Sequence, residues 1–249
     1  MKKVFMFVAA LITLTSCVVS TDVKKAEFAE ETRQIRGFKQ IQINGSPSVV
    51  YTQGNNFEVR VKVAKGDGAF DAVKTELDGD RLVVSCKKLG GNVFNFSSSG
   101  QCTVFVTSPD LIGVEVSGSG DFRSTKPIDT DNISLAVRGS GDISIEGLLI
   151  CDNAKLTVTG SGDLDVKNLE AFTSDITLIG SGDLEVKQRK VGNTRVQLTG
   201  SGDIEIDCDK CGTIDSQLTG SGDISIRGTV RTLNKSKAGS GDYNIDIRN

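Results

Sequence analysis

VTGSGDLDVKNL, Val158 to Leu169, holds the tetrapeptide Gly-Ser-Gly-Asp, which this chain writes seven times. The first glycine of each copy falls at Gly118, Gly139, Gly160, Gly180, Gly200, Gly220 and Gly239, so successive spacings are 21, 21, 20, 20, 20 and 19 residues. A period this regular marks one structural unit per repeat.

The flanks say what that unit is. Four positions before the first glycine stand Val114, Leu135, Leu156, Ile176 and Val196; two before it stand Val116, Val137, Val158, Leu178, Leu198 and Leu218. Four positions after it come Phe122, Ile143, Leu164, Leu184, Ile204, Ile224 and Tyr243; six after it, Ile145, Val166, Val186, Ile206, Ile226 and Ile245. Polar residues fill the alternate positions, so strands with one buried face run into and out of each motif. The parity continues through the motif. Gly118, Gly139, Gly160, Gly180, Gly200, Gly220 and Gly239, with their partners Gly120, Gly141, Gly162, Gly182, Gly202, Gly222 and Gly241, share the aliphatic face. Glycine there predicts a tight bend around a core, with no room for a side chain and a positive φ.

The expected fold is all-β: a right-handed parallel β-helix of about 20 residues per coil, with Gly-Ser-Gly-Asp as its corner, over residues 111–249. Leu148, Leu169, Val191 and Val230 would line a third, looser face. A string of hairpins turning at the motif would preserve the same faces, but the near-constant period favours the helix. In the final repeat Lys235 and Lys237 replace aliphatics, which reads as an end cap.

Residues 33–110 lack the motif yet remain strand-like in FKQIQI, FEVRVKV, RLVVSC and CTVFVT. They predict an irregular β-rich part, with Gly45 to Val49 (GSPSV) as a degenerate corner. Residues 1–16 read as an export signal, with Lys2 and Lys3 before an apolar run. The following LTSC has the form of a lipobox, which makes Cys17 the lipidated first residue of the mature chain and residues 17–32 a lipidated tether to the domain. Val18 after the cysteine, in place of aspartate, points to the outer membrane, on either face.

Composition removes several functions. The 249 residues carry a net charge of −3 and no histidine or tryptophan, so the commonest general base and a major sugar-stacking side chain are missing. A pI of about 5.2 without a basic stripe excludes an electrostatic footprint for nucleic acid. Five cysteines follow Cys17: Cys86, Cys102, Cys151, Cys208 and Cys211. Cys208 and Cys211 have redox-motif spacing, but no helical pattern follows them, so a structural disulfide or two plain thiols is expected.

The order of features resembles the GIN-domain family of autotransporter adhesin heads. The similarity runs through RGFKQIQINGSPSVVYTQG (Arg36 to Gly54), DGDRLVVS (Asp78 to Ser85), VTSPDLIGVEVSGSGD (Val106 to Asp121) and the serial repeats. It implies a β-helical, exported, adhesin-like protein of the Bacteroidota lipoprotein type, and it carries over no catalytic residue. The chain departs from a classical autotransporter in having a lipid anchor and no barrel or coiled-coil stalk.

The leading expectation for function is a non-enzymatic lipid-anchored rod that presents polar ladders to a glycan or protein ligand. Two alternatives stay open. Calcium would neutralise the stacked carboxylates of Asp121, Asp142, Asp163, Asp183, Asp203, Asp223 and Asp242, unless these accept N–H bonds from their own corners. A polysaccharide-active enzyme would use an acidic row such as Asp165, Glu185 and Glu205, which otherwise is a solvated face.

Overall fold

The computed structural model describes residues 27–64, 69–86 and 102–248; the stretch expected to be an export signal, and Cys17, lie outside them. Among the described residues there are eighteen strands and no helix. The chain opens with β1 (Phe28–Arg33), β2 (Gln40–Gly45), β3 (Ser48–Gln53), β4 (Glu58–Ala64), β5 (Val73–Asp78), β6 (Arg81–Cys86) and β7 (Cys102–Ser108). It continues with β8 (Gly113–Gly118), β9 (Asp121–Ser124), β10 (Ile128–Asp129), β11 (Asn132–Gly139) and β12 (Asp142–Gly160). The last coils hold β13 (Leu164–Gly180), β14 (Asp183–Arg189), β15 (Asn193–Gly200), β16 (Asp203–Gly220), β17 (Ile224–Gly239) and β18 (Tyr243–Arg248).

From β8 onward every pairing is parallel and displaced by one repeat. Gly139 lies beside Gly160, Gly160 beside Gly180 and Gly180 beside Gly200, while Leu164 lies beside Leu184 and Leu184 beside Ile204. Hairpins would give antiparallel pairs within a repeat, so the structure is a β-solenoid with one repeat per coil. The aliphatic positions on both sides of the motif stack into ladders at 0–2% exposure from Val114 to Ile226. Each such side chain contributes about 1.5–3 kcal/mol by leaving water.

The third face differs from its expected composition at one position. Leu169, Val191 and Val230 are buried as expected, but Leu149 is buried in place of Leu148, which is half-buried. The register shifts between Ile145 and Leu148 where β12 meets β13: a bulge there inserts one residue relative to the next coil, so that Leu149, and not Leu148, lies beside Leu169.

The N-terminal part continues the same solenoid in a permuted order. β2 and β3 stack in parallel on β8 and β9, with Gly45 beside Gly118, so GSPSV is a corner. β6 and β7 then stack in parallel on the other side of β2 and β3. The β2–β3 coil is thus sandwiched between strands that follow it in sequence. Beyond β7 the direction reverses: β4 runs antiparallel to β7, β1 antiparallel to β4, and β5 antiparallel to β6. Phe28 to Thr32, expected as the end of a tether, instead belong to edge strand β1, because alternating Glu30 and Thr32 can pair along β4 while Arg60 and Lys62 bind Glu30.

Large side chains such as Tyr51, Phe38 and Phe122 fill this end. Tyr51 is fully buried, stacks on Phe122 with ring centroids 6.0 Å apart, and its hydroxyl sits 3.1 Å from Ser108 Oγ. Burial pushes its pKa up to about 12, against the Ser108 hydrogen bond. At the other end Lys235 and Lys237 occupy positions beside Ser216 and Leu218; Lys237 pairs with Asp242 at 2.9 Å and Lys235 lies over the Tyr243 ring. Charges at inward positions blunt an edge that would otherwise template further strands.

Candidate functional site

The corners stack into one column, and their backbone explains the tetrapeptide. The first glycine has φ between +128° and +139° in all seven copies, a conformation that L side chains rarely adopt. The second has no such φ. A Cβ on Gly162 would lie 2.1 Å from the carbonyl oxygen of Gly141, and one on Gly182 2.0 Å from that of Gly162. The space withheld from a side chain therefore lies first along the stack, toward the preceding coil, and at Gly162 also toward the core, where a Cβ would lie 2.9 Å from Val137 Cγ1.

That close approach lets the corner hydrogen-bond between coils. Ser161 and Gly162 both donate their N–H to the carbonyl of Gly139, at 2.8 and 3.0 Å, and Ser201 and Gly202 do the same to Gly180. At the aspartate a side chain takes over. The N–H of Asp163 donates to Asp142 Oδ1 at 3.0 Å, Asp183 to Asp163 at 2.9 Å and Asp203 to Asp183 at 3.3 Å. Asp223 donates to Asp203 at 2.8 Å and Asp242 to Asp223 at 2.7 Å. Each carboxylate thus bonds the next coil's backbone, not its own corner's. The column starts differently: Asp121 accepts from the Ser48 hydroxyl at 3.2 Å, and the Asp142 N–H reaches the Gly120 carbonyl. Burial, with repulsion from Asp163 and Asp121, raises the Asp142 pKa against the Asp163 N–H bond.

The carboxylates run in file instead of closing around a point, and among the described residues no group of three or more His, Cys, Asp or Glu is placed to hold a metal ion. The outward acids expected as a catalytic or solvated row are interleaved with cations. Lys167 lies 2.8 Å from Asp165 and 3.3 Å from Glu185, Lys187 bridges Glu185 and Asp207, and Arg227 pairs with Glu205.

One concavity emerges that the repeat did not signal. The bulges of the third face leave a groove of about 560 Å³ across several coils, with Leu148, Leu169 and Cys208 among its walls and Arg189, Asp209 and Arg227 among its charged groups. Cys208 and Cys211 flank the bulge where Lys210 turns at φ 56°. Both thiols are buried and free in this structure, and the Cys211 thiol donates to the Gln188 carbonyl at 3.7 Å. Register irregularity cannot be read from period-two alternation, so the groove had no sequence signal.

A stacked core, inter-coil corner bonds and an ion-paired exterior define a β-solenoid, a class that offers extended faces to its partners. The chain belongs to the GIN-domain family, matching the family described as "Putative auto-transporter adhesin, head GIN domain" over residues 37–210 and 173–247. Among solved structures it is similar to a "putative adhesin" from Bacteroides fragilis, with 21% identity and TM-score 0.76 over 89% of this chain and 98% of that one. A "putative adhesin" from Parabacteroides distasonis gives 19% identity and TM-score 0.74 over 88% and 97%. A "Putative lipid binding protein" from the same organism gives 22% and 0.69 over 88% and 96%. No curated protein matches.

Proposed function

We propose that this chain is a non-enzymatic, adhesin-like rod of the cell envelope, held to the outer membrane through a lipidated Cys17 and binding a glycan or protein partner along the solenoid. The observation that carries this reading is the exterior of the coils, where Asp165, Glu185, Glu205 and Asp207 are matched by Lys167, Lys187 and Arg227. Such a surface is suited to contact spread over many coils, each weak alone, and it offers no convergent proton-transfer set. The family and the names of its solved relatives support the adhesin side of the reading. The LTSC lipobox supports the anchor.

The test is adhesion by cells that carry or lack the protein. Deletion should reduce attachment to glycan- or matrix-coated surfaces, and purified protein should compete with wild-type cells. Attachment unchanged by deletion on every coating would remove the adhesin reading. A cleaved glycan product in the same assays would restore the enzyme.

A further inference from the structure

The five cysteines of the domain are not scattered. Cys86 closes β6 and Cys102 opens β7, and the fold brings their sulfurs to 3.8 Å although fifteen residues separate them in sequence. Cys208 and Cys211 form the second pair, at the third-face bulge. Cys151 is left over. Its partner in the following coil is Ala171, and Cys211 lies three coils further along, about 14 Å away at some 4.8 Å per coil.

We propose that Cys86 and Cys102 are a disulfide-forming pair, a covalent clasp on the coil built by β6 and β7. The bond needs the sulfurs at about 2.05 Å, and the fold already holds them 3.8 Å apart. The two thiols differ as an exchange reaction requires. Cys86 is half-buried and so within reach of an oxidant, whereas Cys102 is only 6% exposed. The contact with Cys102 lowers the Cys86 pKa, while the same contact and burial raise that of Cys102. Burial and the charge of Asp152 push Cys151 up to about 11, which makes it a poor competitor.

With oxidised glutathione as the oxidant, the Cys86 thiolate attacks one of its sulfurs. A protein–glutathione mixed disulfide forms and one glutathione thiolate leaves. Cys102 then loses its proton and attacks Cys86 Sγ, expelling the second glutathione thiolate. The protein loses two protons and two electrons, and one oxidised glutathione becomes two reduced ones.

In a cell this clasp rests on the proposed export to an oxidising compartment, so the test is run in both settings. The full chain carrying Cys208→Ser and Cys211→Ser is equilibrated in detergent with oxidised glutathione, alkylated, digested and mapped by mass. The expected result is one linked peptide pair, containing Cys86 and Cys102, with Cys151 alkylated. Reduction should lower Tm by about 6–12 °C, from the loop closed by the bond, and the further Cys86→Ser change should abolish that redox dependence. Alkylation of both Cys86 and Cys102 under oxidant that links Cys208 to Cys211 in the unsubstituted chain would overturn the pairing. The linked peptide forming in vitro, with both thiols free after acid trapping of whole cells, would uphold the pair and refute the export.

Discussion

Gly162 and Gly79 both stand at bends, yet their backbones ask for different things. Gly79 has φ +62° and open space where a Cβ would go, so Gly79→Ala should cost about 1–2 kcal/mol, the ordinary penalty of a left-handed residue. Gly162 has no positive φ, but its Cβ would lie 2.1 Å from the Gly141 carbonyl oxygen, and separating two stacked coils breaks their shared bonds. Gly162→Ala should cost more than about 3 kcal/mol, measured by denaturant unfolding of each variant. Equal costs would mean that the coils stack less closely than described. The need for glycine at both corner positions was legible in the repeat. So were a positive φ and the lack of room for a Cβ; how these two causes divide between the first and second glycine was not, because period-two parity reports which side of the strand a Cβ leaves from and not what waits above it.

The corner column is where a strand ladder hands over to side chains. Asp163 Oδ1 accepts the Asp183 N–H, and asparagine offers an equivalent oxygen. Asp163→Asn should therefore stay within about 0.5 kcal/mol of the parent. Asp163→Ala, which orphans that N–H, should cost about 1–3 kcal/mol. If Asp163→Asn destabilises only when calcium is present, the ion belongs in the column after all. Asp142 gives a pH-dependent version. Its folded pKa is raised above the ordinary aspartate value of 3.8 by burial and by Asp163 and Asp121, so the folded state holds this proton more tightly than the unfolded chain. Stability from this group is full below the unfolded value and lost as pH rises through the raised one. Asp142→Asn should match or exceed the parent at neutral pH, by up to about 1 kcal/mol, and lose that advantage as the medium is acidified through the carboxylate range. Thermal melts at matched pH values would show it; a gain that persists at acid pH would contradict it.

At this same scale the alternation located both strands around every corner, because one buried face imposes a strict period. Leu148 and Leu149 exchanged places because the bulge after Ile145 inserts a residue, which only the register reveals. The aspartates were visible as a column, but the identity of their donor depends on the next coil's height. The interleaving of Asp165, Glu185 and Glu205 with Lys167, Lys187 and Arg227 follows once the coils are superposed.

For the whole molecule, seven repeats announced a solenoid, and the order of its first coils remained hidden. β6 and β7 insert beside β2 and β3 from later in the chain, and such non-local pairing leaves no periodic trace. The far end was more legible, since Lys235 and Lys237 break rows that are otherwise aliphatic. Replacing them with valine and leucine should leave an apolar, open strand edge and drive end-to-end association. Light scattering behind size exclusion would detect species larger than the parent; an unchanged mass would mean that the lysines do not guard the edge. The proposed lipidation at Cys17 and the proposed display at the cell surface belong to this scale too, because a rod acts as an adhesin only where partners can reach it. Protease added to intact cells tests that most directly. The account predicts that the protein disappears while a periplasmic control survives, and protection in intact cells followed by cleavage after lysis would contradict it.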